Sequence, residues 1–152
     1  PITKASSFIF LALSIAKKIK EEAFVIGADT IVYQNEIMGK PKDIEDAKNM
    51  LRTLSGIFHV VITGISVVHT PSLKRITEYE KTMVKFKDIT DEEIQAYIST
   101  GEPMGKAGAY AIQGIGSLLV EKIEGCYFNV VGLPVYRLSK IFKNFGYRIL
   151  GE

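Results

Sequence analysis

The first candidate for chemistry is an aspartate that follows an apolar run. Residues 24–27 are of strand type and lead into Ala28-Asp29-Thr30. Asp29 is therefore expected at the end of a strand, where the ligands of α/β sheets commonly bind. A carboxylate in that position can hold a divalent metal ion or orient a water molecule. The alternative interpretation is that Asp29 shapes a turn or caps the backbone.

Two lysines lie in segments whose composition suits a phosphate site. Lys40 lies between Gly39 and Pro41, which is a loop sequence able to aim an ammonium group at a phosphate. It is not part of a Walker A motif, because no G-x-x-x-x-G-K-[ST] pattern occurs. Lys106 lies among small residues that permit a close approach of backbone to ligand. For Lys40 the alternative is an ordinary solvated lysine.

A glycine-rich stretch, residues 101–116, contains Lys106 and also Gln113. The side-chain amide of Gln113 offers both a donor and an acceptor, as recognition of a nucleobase edge requires. The alternative interpretation is a flexible loop with structural glycines. Three further polar residues are weaker candidates, and each has a structural explanation: His59 in an apolar strand, Asn129 in a turn, and Cys126 as a small buried side chain without a nearby histidine.

Capping signals and apolar periodicity predict four helices around these residues. Asp43 is followed three residues later by Asp46, and Thr90 is followed by Glu93, which is a capping-box pattern. Lysines at 17, 18 and 20 favour the C-terminal end of the first helix. The predicted helices cover residues 3–22, Asp43 to Gly56, Thr90 to Ser99, and 135–145 after Pro134.

Runs rich in valine and isoleucine predict the strands. A turn at Asn35-Glu36 and another at Thr70-Pro71-Ser72 separate them, and residues 129–134 are predicted as a loop. Hairpin signals and strand–helix signals occur together, so we predict an α/β fold with a mixed sheet flanked by helices. The predicted strands are residues 24–27 resumed at 31–33, 59–68, 75–87, 118–123 and 147–150.

Composition limits the function classes. A chain of 152 residues fits one domain, and a net charge of +2 argues against nucleic acid or an anionic membrane as partner. The apolar run from Phe8 to Ala16 is too short to span a bilayer, which takes about 20 residues, so we expect a buried helix there. One cysteine, Cys126, allows no internal disulfide. That fits a reducing compartment, and we expect the cytoplasm.

Taken together, the motifs resemble the Maf family. The resemblance is carried by residues 26–32 with Asp29, by Gly39-Lys40-Pro41, by Leu54-Ser55-Gly56 with His59 and Thr63-Gly64, by residues 106–114, and by residues 129–134. Their order and spacing agree with the family from about residue 24 to the C-terminus.

The resemblance implies an elongated α/β fold similar to that of inosine triphosphate pyrophosphatases, and a hydrolase that releases pyrophosphate and a nucleoside monophosphate. It implies a divalent metal ion, Mg²⁺ or Mn²⁺. By this resemblance Asp29 is the proton acceptor and a metal ligand, Lys40 and Lys106 contact the triphosphate, and Thr30 and Gln113 help to select the base. The Ala-Asp-Thr form resembles the branch that prefers dTTP and UTP, with modified pyrimidine nucleotides as further candidates. A homodimer is also implied.

The sequence departs from the family pattern at its N-terminal end. The family opens with a strand and a Ser-x-Ser-Pro-Arg-Arg stretch that grips the phosphates, and the sequence has neither. Ile15 precedes Ala16 where the family has a lysine, so Lys17 or Lys18 is the candidate replacement. We therefore expect residues 1–152 to be a single Maf-like domain truncated at its N-terminus and impaired in isolation. The alternative function is a nucleotide-binding regulator of septum formation without efficient turnover.

Overall fold

The computed structural model describes the backbone of residues 2–151 and the side chains of residues 7–151, so the ends of the predicted domain, Pro1 and Glu152, lie outside the described residues. These described residues form five helices, five strands and two short 3₁₀ segments. In chain order they are α1 (Ile2–Ala16), β1 (Ala23–Gln34), β2 (Glu36–Met38), α2 (Ile44–Leu54), β3 (Phe58–Thr70), β4 (Lys74–Phe86), α3 (Asp91–Ser99), the 3₁₀ segments Ala107–Ala109 and Gly114–Leu119, β5 (Val120–Glu124), α4 (Tyr127–Val131) and α5 (Val135–Asn144).

The strands form one sheet in the order β2-β1-β3-β4-β5. The predicted α/β class, a sheet flanked by helices, is confirmed, but the pairing differs from the predicted mixed sheet: every pair among the described residues is antiparallel. Short turns join β1 to β2 and β3 to β4, so those pairs have to be antiparallel. β2 and β3, which α2 connects, run in the same direction, but β1 lies between them and is antiparallel to both.

The predicted helix caps are present as hydrogen bonds. The Asp43 carboxylate accepts from the backbone N–H of Asp46 at 2.8 Å and starts α2. At the start of α3 the Thr90 hydroxyl accepts from Glu93 N–H at 3.3 Å, and the Glu93 carboxylate accepts from Thr90 N–H at 3.1 Å. These bonds satisfy donors that would otherwise lack a partner in the first helical turn.

Several predicted elements and boundaries were wrong. The first helix ends at Ala16 and not at residue 22, and the two predicted strand pieces around Asp29 form one strand, β1. The predicted loop 129–134 begins inside α4, and residues 147–150 form no strand. β1 continues through its small residues because β3 supplies a partner for each of them from Ala23 to Tyr33.

Helices cover both faces of the sheet. On one face α1 buries Ala12 and Ala16 against Val25 and Val68. The opposite face carries the main core, built from α2, α3 and the sheet, and a smaller cluster in which Ile65 and Val67 of β3 meet α5. Successive residues of a strand point to opposite faces, so both sides of the central strands are buried. Among the described residues, no helix combines the length and the apolar character needed to cross a membrane.

Two glycines allow α1 to lie close against the central strands. A Cβ on Gly27 would come within 2.7 Å of the Phe8 carbonyl oxygen, and a Cβ on Gly64 would come within 2.7 Å of the Phe8 ring. Gly64 is the register partner of Asp29, and Thr63 is that of Thr30. The contact with Phe8 therefore lies beside the residues that were predicted to do chemistry.

Candidate functional site

A pocket of about 760 Å³ brings together all five residues predicted from the sequence: Asp29, Thr30, Lys40, Lys106 and Gln113. Ser7 of α1 and apolar residues of α4 complete its wall. The volume lies within the range of about 300–1,000 Å³ that is usual for small-molecule sites. Neither Lys17 nor Lys18 is among the described residues that line it.

The pocket lies at the outer edge of β1. β2 pairs with β1 only from Val32 to Gln34, and among the described residues the stretch from Ala23 to Ile31 has no strand partner on that side. Five consecutive residues, 28–32, line the pocket. Because Asp29 and Thr30 point to opposite faces of the sheet, the pocket extends around this edge and can hold two different parts of one ligand.

Asp29 supplies the acidic group of the described lining. Its side chain is exposed, and Oδ1 accepts a hydrogen bond from Thr30 N–H at 3.0 Å. No ion pair with Asp29 is found among the described residues. One oxygen of the carboxylate is thus oriented by the neighbouring backbone N–H, and the carboxylate can still accept hydrogen bonds from water or bind a cation.

Lys40 and Lys106 come from segments that the backbone joins. Gly108 N–H donates to the Gly39 carbonyl at 3.0 Å. Gly108 has a φ of +69°, and a Cβ there would lie 2.9 Å from Val32, so only glycine fits this approach. Both lysines are exposed, and in the described part of the chain neither forms an ion pair. Two ammonium groups that form no ion pair among the described residues suit a polyphosphate.

Glu102 holds the loop that follows Gln113. Its carboxylate accepts from Tyr97 Oη at 2.9 Å, from Ile115 N–H at 3.0 Å and from Gly116 N–H at 2.8 Å. Burial alone would raise the pKa of Glu102, but the two backbone N–H groups, Tyr97 and the nearby positive charge of Lys106 together lower it. The ionised carboxylate therefore fixes the turn next to Gln113.

A buried polar network lies directly behind Thr30. The hydroxyls of Thr30 and Thr63 are 2.9 Å apart, and Thr63 Oγ1 donates to the Asn129 carbonyl at 2.8 Å. The Asn129 side chain is fully buried and bonds to Thr63 N–H, to the Val61 carbonyl and to Thr82. Asn129 was predicted to shape a turn, and that was wrong. The threonine pair could have been found from the sequence once β1 and β3 were aligned.

His59 has structural surroundings, as predicted, whereas Cys126 is less buried than predicted. His59 is fully buried, its Nε2 lies 2.9 Å from Tyr110 Oη, and its ring packs edge-on against Phe86. Cys126 is half-buried, and its backbone bonds to the Thr82 hydroxyl. Tyr110 lines the pocket, so His59 supports part of the wall from behind.

The donor set fits a divalent metal ion that also binds the substrate. No cluster of three or more potential metal-ligating side chains occurs in the part of the chain that the structure describes. Mg²⁺ is commonly held by only one or two carboxylates together with substrate phosphates and water. Asp29 would be the protein ligand in such an arrangement, and the remaining ligands would come from a triphosphate and solvent.

Comparison with known proteins places the chain in a family. Residues 9–145 match the family model described as Maf-like protein. A dTTP/UTP pyrophosphatase of Acetivibrio thermocellus is 53% identical over 145 residues, which cover 91% of this chain and 72% of the relative. A Thermoanaerobacter protein of the same name is 56% identical over 141 residues, covering 91% of this chain and 74% of the relative.

A third protein with this name, from Caldanaerobacter subterraneus, is 56% identical over 143 residues that cover 93% of this chain and 69% of the relative. The matched segment contains all five site residues predicted from the sequence, from Asp29 to Gln113. The resemblance drawn from the motifs is confirmed: the chain belongs to the Maf-like protein family.

Proposed function

We propose that the chain is a nucleoside triphosphate pyrophosphatase that hydrolyses dTTP, UTP and modified pyrimidine nucleotides to the monophosphate and pyrophosphate. The observation that carries the proposal is the meeting of Asp29, Lys40, Lys106, Thr30 and Gln113 in one pocket. The relatives named dTTP/UTP pyrophosphatase, at 53–56% identity, support the same enzyme class.

The proposed reaction is attack of water on the α-phosphorus, with pyrophosphate as the leaving group. Asp29 accepts the proton of the attacking water, because its exposed carboxylate keeps acceptor capacity beyond the bond from Thr30 N–H. Lys40 and Lys106 neutralise the charge that builds up on the pyrophosphate. A Mg²⁺ or Mn²⁺ ion bound by Asp29 and the triphosphate would add further charge neutralisation.

The base is proposed to lie on the side of β1 opposite to Asp29. Thr30 points to that face, and Gln113 follows the 3₁₀ segment Ala107–Ala109 in the same pocket. Val130 and Val131 of α4 supply an apolar wall for a planar ring. A pyrimidine would thus meet two polar side chains in an otherwise apolar surface, which is the usual composition of a specific ligand site.

The test is pyrophosphate release by the full-length protein with Mg²⁺ or Mn²⁺ across a panel of nucleoside triphosphates. Asp29→Asn is expected to lower kcat by about 10²–10⁴-fold, as loss of a general base does, with little change in thermal stability because Asp29 is exposed. Asp88→Asn is the matched control, since Asp88 is an exposed aspartate outside the pocket lining.

Full activity of the Asp29→Asn protein would contradict the proposed base. Tight nucleotide binding without any release of pyrophosphate would favour the regulatory alternative. The proposal also includes the cytoplasm as location, in keeping with a single cysteine, and a homodimer, which gel filtration tests.

A further inference from the structure

The hydrogen bonds behind Thr30 determine which way its hydroxyl proton points. A hydroxyl carries one proton, and the proton of Thr63 is used on the Asn129 carbonyl, 2.8 Å away. The hydroxyls of Thr30 and Thr63 are 2.9 Å apart, so Thr30 has to be the donor of that pair. While that hydrogen bond is kept, Thr30 has no proton left for the pocket, and its oxygen acts there as an acceptor.

The Asn129 carbonyl also accepts from Gly132 N–H at 3.1 Å, so the short distance, and not an unmet acceptor, opposes reversal. If Thr63 donated to Thr30 instead, its oxygen would face the Asn129 carbonyl oxygen at 2.8 Å with no proton between them. A backbone carbonyl cannot donate, and Thr63 and Asn129 are both fully buried without access to water. The Asn129 amide is itself oriented, because Oδ1 accepts from Thr63 N–H at 3.2 Å while Nδ2 donates to the Val61 carbonyl at 3.0 Å. Turning the amide over would set donor against donor and acceptor against acceptor.

The edge of the base then decides which ligand this acceptor prefers. In a uracil or thymine nucleotide, N1 carries the sugar, and N3–H is the one donor on the edge that pairs with other bases. Cytosine has an unprotonated N3, which presents a lone pair in the same place. An acceptor held against N3 therefore attracts uracil and thymine and repels cytosine, and a buried polar mismatch of this kind is strongly discriminating.

We propose that Thr63 and Asn129 are positioning residues that hold the Thr30 hydroxyl as an acceptor for N3–H, and so select uracil and thymine nucleotides over cytosine nucleotides. This rests on the proposed function, because it takes Thr30 to contact the base, and to do so at N3. It adds two residues that touch no substrate atom. It also explains why a threonine pair lies across β1 and β3 at this point. Thr30 contacts the base, and Thr63 determines the direction of the Thr30 hydroxyl proton.

The test is the ratio of kcat/KM for UTP to that for CTP in the full-length protein with Mg²⁺. Thr63→Val keeps the shape of the side chain and removes the hydroxyl, which leaves Thr30 free to turn and donate to cytosine N3. We expect the UTP/CTP ratio to fall by about tenfold or more, since one hydrogen bond is weakened for UTP and one gained for CTP. Thr63→Ser keeps the hydroxyl and is expected to keep the wild-type ratio.

The ratio separates positioning from general damage, because a protein that is merely less well folded loses both activities together. An unchanged ratio in Thr63→Val, or an equal loss in Thr63→Ser, would overturn the inference. If Thr63→Val does not fold, the wild-type enzyme decides with N3-methyl-UTP: turnover equal to that of UTP refutes a contact at N3–H, and a loss of about tenfold or more supports it. Absence of pyrophosphate release from every nucleotide would instead refute the proposed function.

Discussion

Acid is expected to destabilise the fold through His59, which lies behind the pocket wall. Burial lowers the pKa of His59 from 6.5 to about 4. Nδ1 has no hydrogen-bond partner among the described residues, so protonation would place a charged donor where nothing accepts. The unfolded chain takes up this proton near pH 6.5, and the folded chain does so only near pH 4. The free energy of unfolding therefore includes the full contribution of neutral His59 above pH 6.5, and this contribution is lost as the pH falls toward 4.

The size follows from the two pKa values. A shift from 6.5 to about 4, at about 1.4 kcal/mol per pKa unit, amounts to roughly 3 kcal/mol in full. At pH 5 the linkage relation gives about 2 kcal/mol of this loss. Since other groups also titrate in acid, the quantity to compare is the loss in wild type minus the loss in His59→Gln, which has a polar side chain that does not titrate.

The assay is urea unfolding followed by circular dichroism at pH 7.5 and pH 5, because the chain has no tryptophan. Wild type is expected to lose about 2 kcal/mol more than His59→Gln between these two pH values, whatever the cost of the substitution at pH 7.5. Equal losses in the two proteins would refute the reasoning, since they would mean that His59 takes up its proton as easily in the folded state as in the unfolded state.

Two further predictions concern the loop that carries Lys106 and Gln113. Glu102→Gln replaces an anion that accepts three hydrogen bonds; we expect about 1–3 kcal/mol less stability and a higher KM for nucleotide, and an unchanged KM would show that Glu102 does not position the loop. Gly108→Ala adds a methyl group 2.9 Å from Val32, which is expected to cost about 1–3 kcal/mol beyond the cost of its positive φ. Gly101→Ala is its control in thermal unfolding, because its φ is also positive and no atom lies within 4 Å of the added carbon; equal losses would contradict the close contact.

Local features of the fold could be predicted from the sequence because their causes are local. The caps at Asp43 and Thr90 each act within four residues, and the Asn35 turn has the positive φ that asparagine tolerates. The direction of strand pairing depends on contacts between distant segments, so the antiparallel sheet was not predicted. The small residues of β1 led to the prediction of two separate strand pieces. They form one strand because β3 pairs with them along their whole length.

The candidate site divides in the same way. Asp29, Lys40, Lys106 and Gln113 were identified by motifs, and the structure places them in one pocket, although their roles stay predictions. The contacts that support these residues were not predicted. Glu102 carries no motif of its own, and Asn129 bonds to Thr63, 66 positions away in the chain. Hydrogen bonds between distant segments leave no periodic pattern in a sequence.

The register between β1 and β3 has a consequence for how the site can change. Asp29 and Thr30 are neighbours in the chain, yet the alternation of the strand sends one to the face covered by α1 and the other to the face with Asn129. A shift by one residue would exchange the two faces. The proposed catalytic group and the proposed base-contacting group therefore depend on the same strand register. Phe8, which packs on Gly27 of β1 and Gly64 of β3, contacts both strands at this register. Point substitutions can alter either group alone, whereas a single insertion or deletion within β1 would displace both at once.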